Sequence, residues 1–396
     1  MDSFLNSLNS ILARDSGLQS TIVKKEKGKV DQSRQLYLSS LPVTFSFFSV
    51  NFSRPMLIFL TMKRAAILFL APLVLLLCTP LAGHPFDIIP FHTQNQSPVV
   101  QIFGLPAISD SRILPAGSKE LTLILDIANN YVNDSVRNER ITLDGETYRL
   151  DLAGRFGIGN HLEFGFEIPY VFQNGGFLDG FIENYHSTFG LPQGGRDQAP
   201  KDRLLLNYQR NGANLFRIDQ SNSGIGDLRL TAGFQLYRDD AESPRALALR
   251  ASLKVPTGDS DVLHGSGSTD LALWLTASQG WKTTIGMWEI FGGGGILGMT
   301  KGNVLPDQQQ NAVAFGSLGA GWHPLAWLTL KVQFDGHTAF FKDSDLVELS
   351  SGSVQIVMGG TLHFSDRTAL DIGVSEDLVV KTAPDVVLHF ALYHRF

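Results

Sequence analysis

From about residue 118 to the C-terminus, apolar and polar side chains alternate with a period of two, the spacing of strands whose faces meet different surroundings. Leu162, Phe164, Phe166, Ile168, Tyr170 and Phe172 share one face, and His161, Glu163, Gly165, Glu167 and Pro169 share the other. Leu247, Leu249, Ala251, Leu253 and Val255 oppose Ala248, Arg250, Ser252 and Lys254. Leu328, Leu330, Val332 and Phe334 oppose Thr329, Lys331, Gln333 and Asp335, and Val354, Ile356, Met358, Leu362 and Phe364 oppose Gln355, Thr361 and His363. About twelve such segments of roughly 9–12 residues can be marked, the length at which a tilted strand crosses a bilayer.

A soluble sandwich alternates too, so the connections carry the distinction. Short ones fall near Gly157–Asn160, Arg238–Ser243, Gly280–Thr283, His323–Ala326 and Ser365–Arg367. Long ones fall near residues 131–146, 173–223, 257–268, 299–310, 338–350 and 376–383. Short turns at one rim and long loops at the other mark a transmembrane barrel, and an even strand count leaves both chain ends in the periplasm. The pattern predicts an all-β fold: a transmembrane antiparallel β-barrel of about twelve strands in the bacterial outer membrane, with a short helix in one long outer loop.

The last strand supports this. Val386, Leu388, Phe390, Leu392, His394 and Phe396 alternate up to a terminal aromatic residue. This resembles the C-terminal signal by which outer-membrane barrels are recognised for insertion, with His394 standing where an aromatic or aliphatic residue is usual. The expected partners are outer-membrane lipids and, through the strand ending in Phe396, the barrel-assembly machinery.

With the apolar face towards lipid, Glu163, Glu167, Asp227, Arg229, Arg250, Lys254, Lys331, Asp335 and Asp371 point into the lumen. A Lys or Arg on the lipid face at mid-bilayer costs roughly 2–4 kcal/mol. A one-residue slip would put every one of these charges there, so the register is well determined.

Ahead of the barrel, Met62-Lys63-Arg64 precedes the apolar run Ala65 to Leu77, broken only by Pro72, and then Thr79-Pro80-Leu81-Ala82-Gly83. A short basic region, an apolar core and small residues are the layout of a secretory signal peptide, here residues 62–83. Residues 1–61 have no sensible role ahead of such a peptide; the reading is a start codon placed upstream of the true one at Met62, and the alternative is an amphipathic N-terminal extension. Residues 84–117 then form an N-terminal periplasmic or plug segment, and 118–396 the barrel.

Composition agrees. A mean hydropathy of +0.04 is too polar for a bundle of membrane helices. Nine of the 32 Lys and Arg but only four of the 38 Asp and Glu precede residue 84, so the exported chain carries about −11. That disfavours nucleic acid, which needs a basic face. The one cysteine, Cys78, leaves with the signal peptide, and no disulfide framework remains.

Candidate chemistry is sparse. His264-Gly265-Ser266 has the His-x-Ser spacing of an outer-membrane phospholipase, but no Asn partner is evident and the stretch reads as a turn of small residues. Asp259-Ser260-Asp261 lacks the Gly and Glu offsets of a calcium loop. The ten His residues show no zinc-ligand spacing. Gly292 to Gly295 is followed by no Gly-Lys-Ser/Thr. No catalytic, metal or cofactor residue is assigned. In the long connection, Phe177, Phe181, Tyr185 and Phe189 recur every four residues beside Leu178 and Ile182, one face of a helix. Such a helix either covers the mouth or lies in the outer leaflet. Glu183, His186 and Arg196 are the candidate gating or binding residues.

Several pieces outside the strands carry a family likeness. They are Asn95-Gln96-Ser97-Pro98, Phe103-Gly104-Leu105-Pro106, Phe181-Ile182-Glu183-Asn184-Tyr185-His186 and Gly190-Leu191-Pro192-Gln193-Gly194-Gly195-Arg196. Together they resemble the bacterial family called domain of unknown function 3187, over most of residues 86–396. Gly224-Ile225-Gly226-Asp227, Pro256-Thr257-Gly258-Asp259 and Gly265-Ser266-Gly267-Ser268 resemble, more loosely, the outer-membrane proteins associated with meta-pathway phenol degradation. The resemblance implies a barrel and carries no activity over. The expected function is a passive channel or pore for small compounds, hydrophobic ones included; the alternatives are a structural or loop-displaying barrel and a lipid-modifying enzyme.

Overall fold

Lipid outside and a polar lumen inside each select one face of every strand, and the strands close on themselves so that no backbone edge meets lipid. The computed structural model describes residues 88–189, 199–378 and 382–396, all within the unit Ala65–Phe396. The expected start at Met62, the signal peptide and Arg196 lie outside these residues.

The elements are β1 (Lys119–Val136), β2 (Glu139–Ile158), β3 (Leu162–Asn174), α1 (Asp179–Phe189), β4 (Leu205–Arg210), β5 (Ala213–Ile218), β6 (Asn222–Ile225), β7 (Leu228–Asp239) and β8 (Arg245–Val255). There follow β9 (Asp270–Thr283), β10 (Gly286–Met299), β11 (Ala312–Leu325), β12 (Leu328–His337), α2 (Val347–Ser350), β13 (Ser353–His363), β14 (Thr368–Asp377) and β15 (Val386–Arg395). Twelve of the strands, β1–β3 and β7–β15, pair antiparallel in chain order, and β1 closes the ring on β15 through pairs such as Leu125↔Phe390. At this seam Glu120 accepts hydrogen bonds from Arg155 (2.6 Å) and Arg395 (2.7 Å), tying β1 to both neighbours. The hairpin β4–β5 extends β2, and β6 extends the top of β3.

Parity holds around the wall. Leu123, Leu152, Phe164, Leu230, Leu273, Ile290, Leu318, Leu330, Met358 and Ile372 are exposed on the outward face, while Glu163, Arg250, Lys331 and Asp371 are buried inside. Trp281, Trp288 and Trp327 are exposed beside the short turns, and Trp288 stacks on Trp322 with centroids 5.2 Å apart. Aromatic residues in this position form the interfacial girdle of an outer-membrane barrel, and the protein resides in the bacterial outer membrane.

Three expected connections shift. Residues 131–146 are not a long loop: β1 and β2 continue to a tight turn at Arg137 and Asn138, rising above the apolar band, where outward residues become polar (Asn129, Tyr131, Asn133) and alternation fades. The turn expected at Gly280–Thr283 falls at Thr284 and Ile285, because Gly280 is a strand residue whose missing side chain makes room for Pro244 and Met287. The one expected at His323–Ala326 falls at Ala326 and Trp327.

A single cysteine placed at Phe164 or Leu330, each over two-fifths exposed on the outward face, should react with lipid-soluble thiol probes and resist water-soluble ones. The reverse preference would invert the two faces.

Candidate functional site: the occupied lumen

The lumen is filled by the chain's own residues 88–118, which climb one side of the wall, turn below the outer mouth and descend to β1. Over residues 88–114 nearly every side chain is buried. The rising arm runs in step with β12 at a constant offset of 242 residues. Lys331 Nζ donates to the Ile89 carbonyl (3.1 Å), Gln333 brackets the Phe91 backbone (2.8 Å from its N–H, 3.3 Å to its carbonyl), Thr93 donates to Asp335 (2.7 Å) and Asn95 meets His337 (2.9 Å). Two extended segments with the same rise per residue can keep such a match. Here it lets wall side chains replace the ladder partners that the arm's backbone otherwise lacks.

Residues 95–104 make the turn. The Asn95 carboxamide oxygen accepts from the Ser97 N–H (2.8 Å), and the Ser97 carbonyl accepts from the N–H groups of Val100 and Gln101 (2.9 Å each). Phe103 stacks on Phe340 at 4.8 Å and meets Phe341 edge-on. Gly104 admits no side chain: a Cβ there would lie 2.9 Å from the Asp270 Cβ, and its N–H donates to the Asp270 carboxylate at 2.7 Å. The two motifs that carry the family resemblance near the N-terminus are therefore this turn and its apolar tip. Around it Leu263, Trp274, Leu297, Phe340 and Phe341 form an apolar core closing the outer mouth.

The descending arm is held by charge. Arg229 donates to the Leu105 carbonyl (3.1 Å), Arg250 to the Asp110 carbonyl (2.6 Å), and Arg112 of the arm to Glu289 of the wall (2.8 Å). Lower down, the N–H of Ile113 donates to Gln235 (2.9 Å) and that of Leu114 to Glu163 (2.8 Å). All nine lumen candidates point inward. Glu163, Arg229, Arg250, Lys254, Lys331 and Asp335 bond directly to the segment. Glu167 lies 3.7 Å from His92 on the segment, and Asp227 joins through Lys254. The wall also pairs with itself: Arg229–Glu167, Arg250–Glu163 and Lys331–Asp371 are ion pairs between strands, and Lys254 pairs with Asp227 just ahead of β7. Between the arms remains a cavity of about 60 Å³ bordered by His92, Asp110, Glu120, Arg155, Glu167 and Arg250, space for roughly two waters.

Above the membrane band Glu139 gathers the loops. It accepts from Tyr208 (2.8 Å), Ser344 (2.8 Å), the Asp345 N–H (2.7 Å) and Arg210 (3.0 Å). Burial pushes its pKa up, but these donors outweigh burial and hold it below the ordinary carboxylate value. Its contribution is thus present above the unfolded value of about 4.3 and lost as pH falls through the folded one. Glu139→Gln should cost about 1–3 kcal/mol by leaving donors unmatched. The readout is faster proteolysis of the outer loops at neutral pH, with the difference from wild type shrinking in acid. Equal proteolysis at neutral pH would remove Glu139 from this role.

Glu183 pairs with Lys201 at the surface. His186 lies in α1, and its side chain, like Arg196, lies outside the described residues. The helix stands on the outward side of the wall, with Leu178 and Ile182 buried against it and Phe177 and Phe181 exposed. Of the two placements the aromatic stripe allowed, the structure has the one at the outer leaflet. His264 does have an Asn neighbour, Asn222 (2.7 Å), which the sequence did not reveal because they are 42 residues apart. Yet Ser266 bonds to Lys254 (2.6 Å) and Ser268 (2.7 Å) instead of His264, and is buried. Among the described residues no group of three His, Cys, Asp or Glu could hold a metal ion.

The sequence marks residues 84–117 as a periplasmic or plug segment and places Asn95 in a family-like motif, but it gives Phe91 and Thr93 no role. The available signal is that residues 84–117 contain only Asp87, Asp110 and Arg112 as formal charges, too few for a solvated linker.

The family described as Protein of unknown function (DUF3187) matches residues 66–396. No curated protein sequence matches the chain. Among solved structures, the COG4313 outer membrane channel from Pseudomonas putida F1 is similar at 13% identity over 72% of this chain and 98% of that one, with a TM-score of 0.48. CdiB from Acinetobacter baumannii is similar at 10% identity over 79% of this chain and 74% of that one (TM-score 0.35). The translocator domain of autotransporter NalP from Neisseria meningitidis is similar at 10% identity over 72% and 90% (TM-score 0.35).

Proposed function

The chain belongs to the DUF3187 family, and we propose that it is an outer-membrane channel for small compounds whose conduit opens when the N-terminal segment leaves the lumen. The observation that carries this reading is how the lumen is filled. A barrel built only as a scaffold can fill a small lumen with its own inward side chains. Here a separate segment fills it, covalently joined to the wall only at β1, and the wall behind it is charged and paired with itself. We also propose that the strand ending in Phe396, exposed at the periplasmic rim, is what the barrel-assembly machinery reads.

The test fastens the segment to the wall at its lower end. The Cβ of Ile88 lies 3.5 Å from where a Cβ on Gly321 would stand, within disulfide range. In planar bilayers the wild type should show rare openings. Ile88→Cys with Gly321→Cys should abolish them when oxidised and restore them on reduction. A second reading, a permanently closed barrel that displays its loops, is favoured by the apolar core at the mouth. Silence in wild type, oxidised and reduced variants alike would select it.

A further inference from the structure

Helix α1 and the wall behind it enclose a second cavity, outside the barrel. It measures about 200 Å³ and is lined by Leu178, Phe181, Ile182, Val374, Val386 and Leu388, with Glu376 at one end. Val374 and Leu388 form one rung of the β14–β15 ladder, and Glu376 and Val386 the rung above. All four side chains point outward, because the intervening Ser375, Val387 and His389 are buried on the lumen side. The cleft therefore runs along the strands. Glu376 stands at its upper end, and its lower end continues into the lipid-facing residues Ile372 and Phe390.

Polar contacts fix the helix at this distance from the wall. Glu146, an outward residue of β2, accepts from the N–H groups of Phe177 (2.8 Å) and Leu178 (2.6 Å). Asn129 of β1 donates to Asp179 (3.1 Å), which also accepts from the Asp202 N–H (2.9 Å). Such a polar clasp belongs at the edge of the hydrocarbon, where exposed Phe177 and Phe181 suit an interfacial helix lying on the membrane. The clasp holds the helix without closing the apolar space beneath it.

We propose that this cleft binds one acyl chain of an outer-leaflet lipid, clamped between α1 and β14–β15. Apart from Glu376 at the upper end, the lining is hydrocarbon, so a polar ligand seated along the cleft would lose its hydration without compensation. The volume exceeds the ~150 Å³ of an apolar cavity that accepts benzene. Its direction along the strands and its opening into the lipid band fit a chain whose head stays at the interface. This inference is independent of transport: it needs only the barrel in its membrane.

The full exported chain is reconstituted in vesicles of phosphatidylcholine carrying a diazirine on one acyl chain, irradiated, and mapped by peptide mass spectrometry. Adducts should concentrate on the peptides holding Leu178–Ile182 and Val386–Leu388, above the bare lipid-facing stretch of residues 271–275. Leu388→Trp, filling the cleft, should lower adducts on the helix peptide tenfold, equivalent to about 1.4 kcal/mol, and leave residues 271–275 unchanged. Ile182→Trp should do the same from the helix side if Leu388→Trp fails to insert. Labelling of the helix no higher than the bare wall, or unmoved by either Trp, overturns the proposal. So does a photoreactive monoaromatic probe that takes the cleft and is not displaced by the lipid.

Discussion

Deleting residues 88–114 should turn a largely closed barrel into a steadily conducting one, with mean current rising about tenfold or more as a charged, hydrated path replaces packed chain. The wall should survive, because its twelve-strand ladder and its own ion pairs do not pass through the deleted segment. Removal takes out Asp110 and Arg112 together, so the net charge of the lumen is unchanged, but Glu289 is left without its cation. The open lumen should therefore prefer cations. A deletion variant that is folded, inserted and electrically silent would count against the channel and favour the loop-displaying barrel.

The second large effect is expected at Lys331. Its ammonium lies 2.8 Å from Asp371 with both side chains fully buried, 3.1 Å from the Ile89 carbonyl and 4.0 Å above the Phe91 ring. Lys331→Met leaves the Asp371 charge without its cation and should cost roughly 3–5 kcal/mol. Asp371 keeps Thr361 (2.6 Å) and Tyr393 (3.2 Å), which is less than a buried charge needs. Adding Asp371→Asn should restore most of the loss, since removing both charges removes the penalty. In the chain lacking residues 88–114, Lys331→Met should cost under about 1 kcal/mol, because Asp371 then meets luminal water. The readout is the temperature at which the barrel loses its compact gel mobility. Equal temperatures for wild type and Lys331→Met would contradict the buried-pair account.

The strands were legible because two solvents leave a period-two record: Leu162 to Phe172 and Glu163 to Glu167 could be assigned to faces from sequence, and the structure keeps them there. The record fades where the solvents become alike. Above Asn129 both faces of the β1–β2 hairpin are polar or covered by loops, and a continuous strand pair reads as a loop. The plug left no periodic trace. Its rising arm is extended but pairs through side chains of β12 that are 242 residues distant, and no local pattern encodes that. The lumen charges were visible as inward, but their partners were not. Arg250 reads as a pore lining in the sequence and holds the Asp110 carbonyl in the structure. The same distance hid Asn222 from His264.

Whether the N-terminal segment fills the lumen is tested most directly at Gln333, fully buried between the wall and Phe91. A Gln333→Cys variant of the exported chain, which has no other cysteine, is exposed in intact outer membranes to a charged, water-soluble maleimide. The intact chain should stay unlabelled, and the chain lacking residues 88–114 should react rapidly. Equal labelling of the two would contradict a lumen filled by that segment.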